Sequence, residues 1–133
     1  MNELIIDGKN ATLGRLASFA VKKSLLGNNV VIVNCNDVVI VGNPRSIIKD
    51  YKETRKRGGS SLQGPFFPRI PERIVKRTAR GMLSYKQGRG KAAFKRIICH
   101  NEIPEEHSEK KMIHAGKVKN SKTIKLKELG KEI

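Results

Sequence analysis

The sequence predicts an α/β fold, and three observations carry that expectation. Residues 30–35 and 38–41 are short runs rich in β-branched apolar side chains, the pattern of strands covered on both faces. The segment after Thr12 repeats apolar residues every three or four positions, the period of a helix with one packed side. A length of 133 residues with 38% hydrophobic residues and 12 glycines is enough for a single domain with a real core.

Residues 4–6 read as a short strand ended by Asp7 and Gly8. Thr12 is placed to cap a first helix, whose stripe is Leu13, Leu16, Ala17, Ala20, Val21 and Ser24, with Leu25 at its flank and Gly27 as its stop. The polar side of that helix carries Arg15, Lys22 and Lys23. Strands 30–35 and 38–41 follow, and helices are expected to pack on each side of them. Asn43 suits a helix cap and Pro44 a first helical turn, so a second helix runs from there to about Arg57. Gly58, Gly59, Ser60 and Ser61 form a short flexible hinge. Pro65 and Pro68 mark 64–69 as a loop, and Pro71 opens a third helix. A fourth, shorter helix over 91–96 leads into a strand at 97–99. The last residues, 125–133, suit a peripheral helical turn.

The longest strictly apolar runs have four residues, at 30–33 and 38–41, far short of the roughly 18 that a spanning helix needs. No membrane association is expected. The opening Met1, Asn2 and Glu3, with Asp7 close behind, lacks the basic start and long apolar stretch of a secretory signal, so a cytoplasmic home is expected. Cys35 and Cys99, in apolar surroundings, read as small core residues without a disulfide.

Twenty-eight Lys plus Arg against 12 Asp plus Glu leave a formal charge of +16, strong self-repulsion for so small a body unless a polyanion neutralises it. Residues 1–48 hold 5 basic and 3 acidic side chains, 49–96 hold 15 and 3, and 97–133 hold 8 and 6. The excess sits in the middle third, as a polyanion-binding surface requires. The expected organisation is one domain over 1–133, with a basic RNA-binding portion at 49–96 and a mixed-charge tail at 105–133.

The third helix carries the sharpest signal. On its wheel, Ile74, Val75, Thr78, Ala79 and Met82 take one side, and Arg73, Lys76, Arg77 and Arg80 take the other. Solvated faces usually mix signs, yet only Glu72 offers an opposite charge here. Arginine predominates from Arg69 to Arg80, and its guanidinium forks onto phosphate and stacks on bases. The expected phosphate contacts are therefore Arg73, Lys76, Arg77 and Arg80, with Arg69 also expected to bind RNA. Loop contacts are expected from Arg55, Lys56, Arg57, Gly58 and Gly59 on one flank and from Lys86, Arg89, Gly90 and Lys91 on the other. Of the interleaved aromatics, Phe66 or Phe67 is the expected stacking or wedge element, while Phe94 is expected in the core. Arg15 is weighed between RNA contact and pairing with a carboxylate such as Asp7.

Catalytic patterns fail on their details. Residues 8–16 resemble a phosphate loop, but Gly14 comes one position late, and Arg15 and Leu16 stand where Lys and a hydroxyl residue are needed. Gly88, Gly90 and Ala93 spell a loose dinucleotide fingerprint with no preceding strand. His100, His107 and His114 recur every seven residues, but Pro104 interrupts any continuous helix and nothing completes a metal set. No pair of carboxylates sits in an apolar setting that would separate their pKa values.

Leu13, Gly14, Arg15, Leu16 and Ala17, then Val30 to Asn34, Gly42, Asn43, Lys49, Tyr51, Gly64 and Pro65 together resemble the family of large-subunit ribosomal protein thirteen. Its most specific part is the string Arg77, Thr78, Ala79, Arg80, Gly81, Met82, Leu83. The resemblance covers 4 to about 104, and Gly64 to Pro68 with Ile103 and Pro104 is similar to the archaeal and eukaryotic branch. Ser84 departs from the pattern, standing where the family usually has proline.

The resemblance implies a three-layer α/β/α sandwich around a short, mainly parallel four-stranded sheet. It implies a structural constituent of the large ribosomal subunit in the cytoplasm, bound to 23S-type ribosomal RNA beside neighbouring large-subunit proteins and supporting assembly. No catalysis, cofactor, metal or small-molecule substrate is implied. The alternatives are a free-standing RNA-binding regulator of translation acting outside the ribosome and, more remotely, a small nucleotide-dependent enzyme.

Overall fold

The computed structural model describes residues 3–56, 68–84, 86–105, 112–114 and 122–132. Strands β1 (Glu3–Asp7) and β2 (Asn29–Val33) pair in parallel, with Ile5 opposite Val31 and Ile6 opposite Ile32. Parallel neighbours need a crossover, and helix α1 (Leu13–Leu25) supplies it. Its buried residues are the six of the expected stripe, Leu13, Leu16, Ala17, Ala20, Val21 and Ser24. Gly27, at φ +99°, ends the helix in a conformation that side chains rarely adopt.

Strand β4 (Ile97–Cys99) lies parallel along the outer side of β2, pairing Val30 with Ile97. At the other edge, the two-residue strand β5 (Ile113–His114) extends the sheet beside β1. The order is thus β4-β2-β1-β5. Run 38–41 does not join this sheet. Asn34 takes a left-handed turn (φ 57°), and one turn of 3-10 helix at Cys35–Asp37 redirects the chain. Strand β3 (Val39–Val41) then pairs antiparallel with β6 (Thr123–Lys125), Ile40 opposite Ile124. Asn34 is held by its side-chain amide, which donates to the Asp7 carboxylate at 2.8 Å.

Because side chains alternate along a strand, Ile6, Val30 and Ile32 share one face and Ile5, Val31 and Val33 the other. The first set joins the main core with α1, helix α3 (Pro71–Gly81) and helix α4 (Gly88–Lys95). The second set forms a smaller cluster with Met112 packed against it. Helix α2 (Pro44–Lys56) touches the main core through Ile47, Ile48 and Tyr51.

The end of the described chain is no peripheral turn. Helix α5 (Leu126–Glu132) buries Leu126 and Leu129 completely in the main core. The Leu126 N–H donates to the Val38 carbonyl at 2.8 Å, and the Gly42 N–H donates to the Lys122 carbonyl at 2.8 Å. Arg96 joins two further elements: its guanidinium donates to the Ser24 carbonyl at the end of α1, at 2.9 Å.

Candidate nucleic-acid interface

Helix α3 positions the site. Pro71 opens it, and the Glu72 N–H, one of the donors left unpaired at a helix start, donates to the Asn101 side-chain oxygen at 2.9 Å. Ile74, Val75 and Ala79 are fully buried against α1, β4 and the 3-10 turn, which fixes the roll of the helix about its axis. Arg73 and Arg80 consequently stand exposed and Arg77 half-buried on the opposite side. Met82, expected on the packed side, lies past the helix end and is 44% exposed. Thr78 sits at the boundary, its hydroxyl donating to the Ile74 carbonyl at 2.9 Å.

Lys76 is not simply one of the cationic stripe. It precedes Ala79 by three residues and so borders the packed side of the helix. Its ammonium donates to the Phe94 carbonyl at 3.1 Å and to the Ile97 carbonyl, and it lies 4.5 Å from the centre of the Phe94 ring. Half-burial lowers its pKa from the ordinary lysine value, with the charge of Cys99 acting in the other direction. The structure therefore gives Lys76 a positioning role: it ties α3 to the last turn of α4 and to the edge strand β4.

Arg73, Lys76, Arg77 and Arg80 converge with Pro68 and Phe94 on one open concavity of about 300 Å³. Phe94 is half-buried, packing against the core with part of its surface and lining this concavity with another part. Phe94 is one of the interleaved aromatics that could stack on bases, but the sequence favours the core for it, and Pro68 is not among the expected contacts. The only available signal was Phe94's place in a run of cations, and helical periodicity assigns it to the core.

Arg69, Lys86, Arg89 and Lys91 are all exposed, as are Lys49 and Lys52 on α2. Arg55 and Lys56 close α2. Arg57, Gly58, Gly59, Phe66 and Phe67 lie outside the described residues. Tyr51 packs on the core, and burial raises its phenol pKa above the ordinary value.

Gly90 is placed differently from the expectation. It is buried, and a Cβ there would come 2.1 Å from the Ser84 carbonyl oxygen. Its glycine is explained by close approach of two backbones. Ser84, the departure from the family pattern, is thus half of a tight contact between the α3–α4 turn and α4.

Cys35 and Cys99 are free thiols, the first fully buried. A hydrogen bond with Cys99 and burial both push the Cys35 pKa well above its ordinary value. Among the described residues, no group of three or more His, Cys, Asp or Glu side chains comes together to hold a metal, and no helix is long and apolar enough to cross a membrane.

The family model described as Ribosomal protein L13 matches residues 1–108. The chain is similar to large ribosomal subunit protein uL13 of Methanocaldococcus jannaschii, 42% identical over 133 residues, covering 97% of this chain and 96% of that one. It is also similar to the uL13 proteins of Methanosarcina barkeri, 45% identical over 77% of this chain and 73% of that one, and of Caenorhabditis elegans, 42% identical over 84% and 56%.

Proposed function

The chain belongs to the ribosomal protein L13 family, and from that premise we propose that it is a structural constituent of the large ribosomal subunit that binds 23S-type ribosomal RNA and supports subunit assembly. The family is structural and not enzymatic. The single observation that carries the RNA reading is the convergence of Arg73, Arg77 and Arg80 on one concavity of a helix whose other side is locked into the core. Clustered guanidinium groups on a rigid support suit phosphate, because each can offer forked hydrogen bonds and an entering anion lowers the mutual repulsion of like charges.

In this reading 1–133 is one domain in the cytoplasm, its 49–96 portion faces the RNA, and neighbouring large-subunit proteins pack beside it. Arg55, Lys56, Arg57, Gly58 and Gly59 continue the contact on one flank and Lys86, Arg89 and Lys91 on the other, with Phe66 or Phe67 as a wedge. The second face of the sheet, Ile5, Val31 and Val33, is as apolar as the first and needs cover of its own, which a three-layer sandwich around four strands provides.

The test is sucrose-gradient sedimentation with crosslinking of native particles. Stoichiometric co-sedimentation with large subunits, and crosslinks from peptides of 49–96 to large-subunit RNA, are expected. Recovery of the protein outside ribosomal fractions with crosslinks to messenger RNA would replace this reading by the free-standing regulator.

A further inference from the structure

We infer that the concavity between α3 and α4 is a pocket for a single unpaired nucleotide extruded from the bound RNA. The inference rests on the RNA-binding reading above and deepens it. A duplex backbone is met by exposed cations on an open surface and requires neither a concavity nor an aromatic wall. This site has both. Its volume of about 300 Å³ lies at the small end of ligand pockets, which suits one nucleotide. Pro68 and the part of the Phe94 ring that the Lys76 ammonium does not cover supply apolar surface for a base, and Arg73, Arg77 and Arg80 carry guanidinium groups suited to its phosphate.

The Phe94 ring is also held in place before any ligand arrives. The Lys76 ammonium lies 4.5 Å from the ring centre and bonds the carbonyl of the same residue at 3.1 Å. A ring already fixed loses little freedom when a base stacks on it, so more of the stacking energy appears as affinity. Unpaired bases, unlike those inside a helix, present a free aromatic face, and aromatic and guanidinium surfaces bind such faces whatever the base. The pocket therefore recognises an extruded position by its shape and stacking, with little discrimination among bases.

The test uses the full chain and two RNA hairpins that differ by one bulged 2-aminopurine nucleotide. The bulged hairpin is expected to bind roughly 10- to 100-fold more tightly than the fully paired one, the range of one stacked base. Its fluorescence should fall on binding as the base stacks. Phe94→Leu, which keeps an apolar side chain and removes the ring, should bring the ratio of the two affinities to about one. If that variant does not fold, the fluorescence of the wild-type complex still decides. Equal affinity for both hairpins, with no fluorescence change, overturns the pocket while leaving RNA binding intact. Failure to bind either hairpin at low salt overturns the RNA reading as well. Displacement of the bulged hairpin by micromolar adenosine monophosphate would assign the pocket to a free nucleotide and overturn the RNA-embedded form.

Discussion

The Lys76 ammonium donates to the Phe94 carbonyl at 3.1 Å and sits over the ring of the same residue, 4.5 Å from its centre. One side chain thus adds a second donor to a carbonyl that also accepts a backbone N–H at the C-terminal cap of α4, and fixes the aromatic wall of the concavity. The Ile97 carbonyl, on the edge strand β4, shares the same donor.

Lys76→Met keeps the aliphatic stem and removes the donor. Urea unfolding should show a loss of about 1–2 kcal/mol, the cost of removing a charged donor shared by the Phe94 and Ile97 carbonyls, of which the Phe94 carbonyl keeps its backbone partner. An unchanged midpoint would return Lys76 to the solvated stripe.

Arg73→Ala and Arg80→Ala address the RNA surface. Each lost phosphate contact should flatten the plot of log affinity against log salt by about 0.7 to 0.9. Lys76→Met should flatten it less, because its charge is committed inside the protein. A slope that Arg80→Ala leaves untouched removes that residue from the contact surface.

Gly90→Ala forces a Cβ to within 2.1 Å of the Ser84 carbonyl oxygen, whereas a Cβ at Gly88 meets nothing within 4 Å. The first substitution should cost about 1–3 kcal/mol through overpacking. The second should stay within about 0.5 kcal/mol. Comparable melting temperatures for the two variants would contradict the close-approach account.

Cys35 predicts an alkaline weakness. Its folded pKa is raised above the ordinary 9.0 by the hydrogen bond with Cys99 and by burial. As pH rises past 9.0 the unfolded chain releases a thiol proton that the folded protein keeps. The folded state then binds more protons, so stability falls with rising pH, by up to about 1.4 kcal/mol per pH unit from this group. Below that range the group contributes no pH dependence. Cys35→Ala should remove this part of the slope in unfolding free energies measured from about pH 8 to about pH 10, the span across which an ordinary thiol ionises; parallel curves would refute it. In the native protein an alkylating reagent should label half-buried Cys99 well before Cys35.

Much of the fold was legible because local patterns agreed with tertiary packing. The α1 stripe, the strand at 97–99 and the start of α3 at Pro71 lie where periodicity and proline place them. The α3 cations Arg73, Arg77 and Arg80 were legible for the same reason: a helix whose apolar stripe is known has a known opposite side. Gly90 and Lys76 were not. A glycine in a basic run and a lysine on a basic stripe carry no local mark of the Ser84 carbonyl or the Phe94 ring that they meet.

The amino-acid order by itself determined the α/β class, the cationic middle third and the family, because composition, charge and short-range periodicity are local properties. Only the tertiary structure decided that run 38–41 leaves the main sheet to pair with β6, that Leu126 and Leu129 belong to the core, and that Phe94 shares a concavity with the α3 arginines. Those outcomes depend on which distant backbones meet, and the free energy of such meetings comes from burial and hydrogen bonds between segments that no local window contains together.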